Sequence, residues 1–395
     1  MIPELRNKFN AEFNPDTYEK FVTELNSTFI YPADFRISET PVFLPKDLKI
    51  KLVDACEDIL VQVQDQVQDE DYKNKLDGFI PEELFVPNET ERPEFLQLDF
   101  AICEDSNGIF VPKLIELQGF PTVYGYQYYL DRLYRKYFNI DDKLTPYFNN
   151  INSESYKKEL RKIIIGNSDP VNVILLEIQP EKQKTRIDFA ATEKLLGIKS
   201  ICISDVIQQG KKLFYKSDGK TIPIERIYNR VIFDELKRND TKFGFNYRDE
   251  LDVKWLPHPN WFLKISKFSL PLLKGRFVPE CYFLDEIDKL PKDLNQFVLK
   301  PLFSFAGHGV DIDLNDEKLK SISDPSNYVL QKKIDYSPVI KTPDENSKIE
   351  IRMMFLWDKE PLLVNNLVRM SKGRMMGVDF NKNKTWVGSS LALHY

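Results

Sequence analysis

Apolar residues recur along this chain at two spacings, which divide it into helices and strands. Between Val53 and Val67 they follow one another at intervals of three and four, which predicts one long amphipathic helix over residues 47–75. Apolar runs at 95–103 and 111–117 predict two strands, and the Glu-Asp-Ser-Asn-Gly between them predicts a hairpin turn. Residues 124–137, rich in Tyr and Leu, predict a second helix.

The middle of the chain has a different pattern. Residues 171–178 predict a buried strand, 188–196 a helix that ends at Gly197, and 200–203 a second strand. A strand, a helix and a strand of these lengths predict a parallel crossover. We therefore expect an inserted α/β domain at 166–250. It would separate an N-terminal region, 1–165, that is helical and carries the first two strands, from a C-terminal domain at 251–395.

The segment 297–312, FVLKPLFSFAGHGVDI, carries the strongest chemical signal. An apolar strand ends at Lys300, and a loop of small residues leads into a second predicted strand at 310–314. Glycines let backbone N–H groups approach phosphates, and the lysine adds a fixed positive charge. The third glycine and following helix of a dinucleotide fingerprint are absent. An ordinary glycine-containing hairpin is the alternative to a nucleotide loop.

Composition narrows the class of protein. Of 395 residues, 42% are hydrophobic and 29% charged, which is typical of a globular chain. A net charge of −6 argues against nucleic acid as a partner, and no apolar run reaches the length of a membrane span. Four scattered cysteines and three histidines give little support to disulfides, a zinc site or a catalytic triad. We expect a cytoplasmic enzyme without a membrane or nucleic-acid partner, and a homodimer is left open.

Oxygen-bearing side chains on the first two strands form a candidate metal site. Strand alternation places Asp99 within reach of Glu116, and places Glu116 and Gln118 on one face of the hairpin. Mg²⁺ prefers such ligands together with substrate phosphates. The alternative is the solvent-facing side of an antiparallel hairpin.

The order of features after residue 260 resembles a known superfamily. Lys267 comes first, then the Lys300 loop, a hinge-like strand at 328–334, and strands that carry Arg352 and Arg369. This order resembles the ATP-grasp superfamily. The resemblance implies that ATP lies between two lobes under a lid at 304–309, with adenine at the hinge strand. The implied nucleotide-binding residues are Lys267, Lys300, Ser304, Ala306, Gly307, His308, Gly309, Gln331, Lys332 and Ile334.

ATP-grasp enzymes usually place a Glu-x-Asn metal strand after the Arg369-like strand, whereas here its look-alike, Glu116 to Gln118, lies near the N-terminus. Residues 95–395 thus resemble circularly permuted members, namely eukaryotic-type glutathione synthetase and bacterial glutathionylspermidine synthetase. This implies an α/β (α+β) ATP-grasp fold with an inserted parallel-sheet substrate domain. Gln118, Gln97 and Ser304 depart from the asparagine, arginine and glutamate that relatives carry.

Several basic residues are candidates for catalysis or substrate binding. Arg352 lies on an apolar strand, so its charge needs a partner, which is either a phosphate or a carboxylate such as Glu350. Arg369, Lys372 and Arg374 form a basic cluster that a triphosphate or acyl-phosphate would neutralise, with a solvated charged loop as the alternative. Arg230 can hold a substrate carboxylate or form a structural salt bridge.

The resemblance implies an ATP- and Mg²⁺-dependent carboxylate–amine (or carboxylate–thiol) ligase that acts through an acyl-phosphate on small molecules or peptides. Arg369, Lys372 and Arg352 are the expected catalytic residues, and Arg230 and Arg374 would bind substrate. A small-molecule kinase on the same fold and a non-catalytic nucleotide-binding protein are the alternatives. The sequence does not identify the carboxylate, the amine or the thiol.

Overall fold

The computed structural model describes residues 1–80, 82–232, 235–236, 240–303 and 309–395, with the side chains of Val378 and Asp379 left out. Helices and strands alternate along these ranges. The α-helices are α1 (Pro3–Glu12), α2 (Pro15–Thr28), α3 (Lys46–Gln68), α4 (Glu70–Asp77), α5 (Tyr124–Tyr137), α6 (Ser153–Ile164), α7 (Arg186–Leu196), α8 (Trp261–Lys264) and α9 (Asp316–Lys320). The strands are β1 (Val42–Phe43), β2 (Phe95–Glu104), β3 (Phe110–Gln118), β4 (Val173–Glu177), β5 (Lys199–Cys202), β6 (Ile207–Gln209), β7 (Lys212–Ser217), β8 (Lys220–Ile224), β9 (Arg226–Asn229), β10 (Lys254–Leu256), β11 (Cys281–Phe283), β12 (Phe297–Pro301), β13 (Tyr328–Lys332), β14 (Lys348–Trp357), β15 (Pro361–Ser371), β16 (Gly388–Ser390) and β17 (Ala392–Leu393).

A five-stranded antiparallel sheet joins the two ends of the chain. Its strand order is β16-β15-β14-β2-β3, so the hairpin β2–β3 pairs with strands that come about 250 residues later. The hairpin turns at Asp105, whose carboxylate accepts hydrogen bonds from the N–H groups of Asn107 and Ile109. Since nine of the ten residues of β2 are buried, this strand forms the middle of the core rather than an edge.

The N-terminal segment completes this arrangement. β1 pairs in parallel with β17. The backbone of Arg36 and Ser38 also exchanges hydrogen bonds of 2.8 Å with Ser389, which lies in β16. Both termini are therefore tied to the same part of the fold.

A second sheet, of order β10-β9-β4-β5, is parallel throughout. The chain leaves β4, forms α7 and returns in β5, as the sequence predicts. Gly197 ends α7 in the left-handed conformation, with a φ of +78°. A separate three-stranded hairpin sheet, β6-β7-β8, follows.

Another three-stranded sheet, of order β11-β13-β12, carries the lysine of the candidate nucleotide loop. β12 delivers Lys300 and pairs with the hinge strand β13. The second strand predicted at 310–314 is wrong, because within the described residues the segment forms only one bridge, between Leu299 and Asp311. The strand that pairs along the length of β12 is β13, and Leu299 contacts both β13 and Asp311.

The predicted helix over 47–75 is wrong at one point. Asp69 takes an extended conformation between α3 and α4, and its carboxylate accepts a hydrogen bond from the N–H of Asp71. An aspartate at a helix N-cap competes with continued helix in this way. The apolar spacing continues across the break, since Val67 and Tyr72 are both buried.

The α/β class predicted from the sequence is confirmed, since helices and several sheets are mixed along the chain. Apolar residues of the central sheet, of α3 and of the parallel sheet share one large core. None of the helices within the described ranges combines the length and the apolar character that crossing a membrane requires.

Gly388 supports a prediction about stability. Its φ is +116°, a region that L side chains avoid, and a Cβ there would collide with the backbone oxygen of Arg36. We expect Gly388→Ala to lower the free energy of unfolding by at least about 1–3 kcal/mol, measured by urea denaturation. Gly219→Ala is the matched control, because Gly219 also has positive φ but no atom within 4 Å of its Cβ position. Equal losses in the two variants would contradict the predicted role of the close contact.

Candidate functional site

Charged residues lie side by side across the middle of the central sheet. The register places Arg352 of β14 opposite Asp99 of β2, and Asp99 opposite Glu116 of β3. Glu350 of β14 lies opposite Arg369 of β15. Because side chains alternate between the faces of a strand, residues 350 and 352 point to the same side. The sheet therefore presents a row of opposite charges on one face.

The centre of the row is a buried, bidentate ion pair. Arg352 donates from Nε to Asp99 Oδ1 over 2.6 Å and from Nη2 to Oδ2 over 2.5 Å. Its third nitrogen, Nη1, donates to Thr122 Oγ1 over 2.6 Å, and Thr122 in turn donates to Gln97 Oε1. Parallel N–H···O bonds of this kind are the strong form of an Arg–carboxylate pair. Of the two partners considered for Arg352, the structure shows a carboxylate, that of Asp99.

Arg369 extends the row toward solvent. Its Nη2 lies 3.3 Å from Asp99 Oδ2 and also donates to Glu350 Oε1. Arg369 keeps 42% of its side chain exposed, whereas Glu350 is buried. Burial raises the pKa of Glu350 to about 7, and the charges of Asp99 and Glu116 act in the same direction against Arg369. The arginine is thus the part of the row that a bound molecule can reach.

A β-bulge connects the row to the lysine-bearing sheet. Asp99 pairs with Glu116 but Phe100 pairs with Leu114, so Ile115 is the extra residue. Its carbonyl, left out of the ladder, accepts a hydrogen bond from Lys300 Nζ over 3.1 Å. Lys267 Nζ lies 4.0 Å from Glu116 Oε2. These contacts bring residues about 150 and 185 positions apart in sequence to one place.

We call these residues the charged cluster. It contains four cations and three carboxylates, namely Lys267, Lys300, Arg352, Arg369, Asp99, Glu116 and Glu350. Burial alone would raise the pKa of Glu116, but the four cations outweigh it and lower that pKa to about 2. Burial lowers the pKa of both lysines, and Glu116 opposes the shift. Glu116 is therefore ionised at every physiological pH.

The metal candidates differ in what they already bind. Both oxygens of Asp99 are hydrogen-bonded to arginines. Glu116 accepts a hydrogen bond of 2.9 Å from Gln118 Nε2 and keeps 22% of its side chain exposed. In the described part of the chain, no three His, Cys, Asp or Glu residues are grouped as a metal site. Glu116 and Gln118 fit a magnesium ion only together with phosphate oxygens, the combination that Mg²⁺ favours.

The nucleotide candidates lie on the lysine-bearing side. Lys267 and Lys300 are buried, and Gly309 has a φ of +72° with its Cβ position only 2.7 Å from Pro301 Cγ, so a glycine is required there. Ser304, Ala306, Gly307 and His308 lie outside the described residues. On the hinge strand, the side-chain amide of Gln331 lies 3.5 Å from the Ile115 carbonyl.

The rest of the hinge borders a second cavity of about 570 Å³. Lys332 and Ile334 line it together with Val278, and Lys332 Nζ lies 3.8 Å from Glu280. The backbone N–H of Lys332 donates to the Glu280 carbonyl over 2.8 Å. Nothing in these contacts shows what binds there, and the adenine role remains a prediction.

The three members of the predicted basic cluster bind different carboxylates. Lys372 Nζ lies 2.5 Å from Asp344 Oδ1, and Arg374 Nη2 lies 2.6 Å from Asp313 Oδ1. Arg374 and Asp313 are both exposed, and such surface pairs contribute little to stability. Arg369 is the member that belongs to the charged cluster.

Arg230 is buried next to Asp188 instead of lining an open site. Its Nη1 donates to Asp188 Oδ2 over 2.8 Å, and its guanidinium lies 5.0 Å from the ring centroid of Phe189. Asp188 Oδ1 also accepts from the N–H of Tyr126, in the first turn of α5, a helix whose own N-cap residue provides no side-chain cap. The pair thus connects the first turns of α5 and α7.

Sequence reasoning gave no site role to Thr122, and considered Glu350 only as a partner for Arg352. Strand alternation could have shown that Glu350 shares a face with Arg352, but not that it pairs with Arg369 on the neighbouring strand. No local pattern marks Thr122, which follows the end of β3 and hydrogen-bonds to Arg352.

A cavity of about 630 Å³ opens beside the charged cluster. We call it the main cavity. It is lined by residues of the central sheet, Glu116, Gln118, Arg352 and Arg369 among them, and by Thr185, which precedes α7. The exposed part of Arg369 therefore faces a space large enough for a small organic molecule.

Comparison with solved structures identifies a similar fold. The chain resembles a glutathione synthetase-like effector from Globodera pallida, solved in its apo form. The TM-score is 0.59 with 14% sequence identity, and the match covers 98% of each chain. No protein-family profile and no curated protein sequence matches the chain. At this identity the likeness shows the fold alone, which is therefore glutathione synthetase-like and mixed α/β.

Arg230 can be tested as a structural residue. We expect Arg230→Met to lower the free energy of unfolding by about 3–5 kcal/mol, because Asp188 would be left buried without its charge partner. The double variant Arg230→Met/Asp188→Asn should recover most of the loss in urea denaturation, because the amide carries no charge and its oxygen can still accept from the N–H of Tyr126. If Arg230→Met unfolds like the unmodified protein and loses only the binding of a ligand, the residue belongs to a binding site.

Proposed function

We propose that this protein is an ATP- and Mg²⁺-dependent ligase of the circularly permuted ATP-grasp type, which joins a carboxylate to an amine or thiol through an acyl-phosphate. One observation carries the proposal. Glu116 from the N-terminal half and Arg369 from the C-terminal half border the main cavity, and Lys267 and Lys300 of the C-terminal half lie against Glu116 and its neighbour Ile115. This is the order of parts that distinguishes the permuted enzymes.

The charge balance of the cluster supports an anionic ligand. With all groups ionised, four cations and three carboxylates leave one positive charge in excess, and protonation of Glu350 would leave two. Buried cations are costly unless they are paired. A triphosphate supplies several negative oxygens, so its binding would remove the excess.

Each part of the cluster has a defined role in this proposal. Lys267 and Lys300 would hold the phosphates, for which Lys300 must exchange the Ile115 carbonyl for a phosphate oxygen. Glu116 and Gln118 would hold magnesium, which polarises the transferred phosphoryl group when bound. Asp99 would orient Arg352 and Arg369, so that their N–H groups face the developing charge.

Arg369 is the residue placed to act on the reacting carboxylate. It faces the main cavity and contacts two carboxylates of the cluster. A guanidinium in this position can bind the carboxylate that becomes phosphorylated and then stabilise the phosphoryl oxygens. The protein provides positions and charges and needs no nucleophilic side chain.

A non-catalytic nucleotide-binding or regulatory protein is the second candidate. The observation in its favour is that the described charges of the cluster are already bonded within the protein, including the Lys300–Ile115 contact. In such a protein the cluster would stabilise the fold by itself. A kinase that phosphorylates a hydroxyl is a third possibility on the same fold.

Nucleotide binding can be tested with Lys300→Ala. We expect the Kd for Mg²⁺-ATP to rise more than tenfold in calorimetry, because a charge-assisted contact of about 1.5–3 kcal/mol is lost. Lys211→Ala is the control, since Lys211 is exposed and pairs with Glu250 on a surface hairpin. Unchanged ATP binding in a folded Lys300→Ala protein would refute the nucleotide site.

The variant Arg369→Ala tests whether Arg369 acts in phosphoryl transfer, and an oxygen-18 label distinguishes a ligase from a kinase. Its charge matters most as the phosphoryl group moves, so turnover should fall far more than ATP affinity. The exposed Arg248, paired with Glu82, provides the control Arg248→Ala. With an active substrate pair, oxygen-18 from the substrate carboxylate should appear in the released phosphate. A stable phosphorylated alcohol would show that the protein is a kinase.

A further inference from the structure

We infer that residues 372–385 form a movable flap at the main cavity, and that Asp344 is the latch that holds this flap in place. This goes beyond the proposed function, because it concerns access to the cavity and does not require that a nucleotide or a carboxylate binds there. The contacts at the two ends of the flap carry the inference.

The flap forms one part of the cavity wall. It begins after Ser371, the last residue of β15, and it ends before Trp386. Its residues that line the main cavity are Met376, Asn381, Lys382, Asn383, Lys384 and Thr385. The central sheet contributes a separate set of lining residues, which includes Arg352 and Arg369. A displacement of the flap would therefore change the opening of the cavity while the sheet stays in place.

The flap lacks the apolar packing that holds its neighbours. None of the residues 372–385 that the structure describes belongs to an apolar cluster of the core, whereas Met370 and Trp386, on either side, are both core residues. Phe380 even keeps 47% of its surface exposed. Segments with few buried apolar contacts open most easily. The position of the flap therefore depends on polar contacts.

Asp344 makes such contacts with both ends of the flap. Its Oδ1 accepts a hydrogen bond from Lys372 Nζ over 2.5 Å, and its Oδ2 accepts one from Thr385 Oγ1 over 2.9 Å. Lys372 is the first residue of the flap and Thr385 is the last. Only 1% of the Lys372 side chain is exposed, so salt screens this pair less than it screens a surface ion pair.

The latch itself stays charged. Thr342 Oγ1 donates a further hydrogen bond to Asp344 Oδ1 over 2.7 Å. Burial alone would raise the pKa of Asp344, but the hydrogen bonds from Lys372 and Thr342 lower it below its ordinary value. Asp344 is therefore ionised at physiological pH, and its contact with Lys372 is charge-assisted.

The turn that carries Asp344 is fixed at its base. The backbones of Ile340 and Ser347 exchange hydrogen bonds of 3.0 and 2.9 Å, and both residues are fully buried. Ser347 Oγ also donates to the Trp386 carbonyl over 2.8 Å. The latch is thus anchored in the core, and the flap is anchored to the latch.

The flap keeps its own shape through Asn381. The Oδ1 atom of this side chain accepts from Ser371 Oγ over 3.0 Å and from the N–H of Lys372 over 2.9 Å, and its Nδ2 donates to the Gly377 carbonyl over 2.9 Å. None of these three bonds involves Asp344. We therefore expect the flap to move as a unit when the latch is removed.

Two other contacts of the flap are weaker. Arg374 lies 2.6 Å from Asp313, and Lys384 lies 3.8 Å from Glu345. Both pairs are exposed, and surface pairs of this kind contribute little. Asp313 therefore provides a matched control, since it is also an aspartate that pairs with a cation of the flap.

Two spin labels measure the position of the flap. Phe380→Cys places one label on the flap, and Thr185→Cys places the other at the start of α7. Cys202→Ser completes the background, because the other three cysteines are buried. We expect pulsed electron paramagnetic resonance to show an additional, longer distance after Asp344→Ala. Asp313→Ala should leave the distance distribution unchanged.

A second pair of variants tests the latch without changing any charge. Thr385→Val removes one of the two contacts that Asp344 makes with the ends of the flap, and Thr385→Ser retains it. We expect the longer distance in Thr385→Val at a lower population than in Asp344→Ala, and we do not expect it in Thr385→Ser. Hydrogen exchange of the central sheet, measured in every variant, shows whether the fold is intact.

The outcomes are decisive in both directions. The longer distance in Asp344→Ala and Thr385→Val, with unchanged exchange in the central sheet, supports the inference. An unchanged distance in these two variants overturns it. Faster exchange of the central sheet in Asp344→Ala also overturns it, because Asp344 would then stabilise the whole fold and not the flap. No nucleotide is used, so the latch can fail while the ligase proposal stands, and the reverse.

Discussion

The buried ion pair between Asp99 and Arg352 is the interaction on which the site depends. It joins two strands whose paired residues are 253 positions apart in the chain, across the middle of the central sheet. A shift of one strand by one residue would turn its charged side chain to the other face of the sheet and separate the pair, so the pair specifies the alignment. Removing one partner would leave the other charged and buried, at a cost of about 3–5 kcal/mol. Thr122 and Arg369 contact the same pair, so their positions depend on it.

The partners that the two lysines have within the protein explain how the site could bind an anionic ligand. Lysines that face a carboxylate and a backbone carbonyl are stable in the absence of other molecules. The Ile115 carbonyl that makes this contact lies at the bulge, where Ile115 has no partner residue on β2. An anion that offers several oxygens can take its place at little net cost. The same arrangement stabilises the unliganded protein and leaves the lysines exchangeable, so neither the ligase nor a non-catalytic binding protein needs another fold.

The sequence predicted much of the fold because its signals are local. Period-two and continuous apolar runs located the strands near residues 95–118, and the strand–helix–strand pattern located the parallel sheet. Helix spacing located α3 but continued across Asp69, where a side chain that caps a new helix overrides the periodicity. The prediction of a second strand at 310–314 was wrong for a related reason. Alternation of apolar and polar residues shows that a segment can form a strand, but it does not show with which strand the segment would pair. The segment does reach β12, but it pairs there only through Asp311, whereas β13 pairs along the whole strand.

The site was less predictable, because ion pairs form between side chains that are close in the folded structure, and sequence separation does not show which these are. A lone arginine on an apolar strand indicates that a partner exists, and sequence alone left a phosphate and a carboxylate open for Arg352. Arg369, Lys372 and Arg374 are adjacent in sequence, yet each pairs with a different carboxylate. Strand alternation and the end of β15 direct these side chains apart, and one of the three reaches the main cavity beside Glu116. Strand register fixes Arg369 and Glu116 on one face of the sheet. A reaction that requires both charges at one substrate group therefore depends on this register, and not on the number of basic residues in the loop after β15. The cavity walls come from several parts of the chain, among them Leu367 and Met370 of β15, so the strand that positions Arg369 also shapes the space beside it.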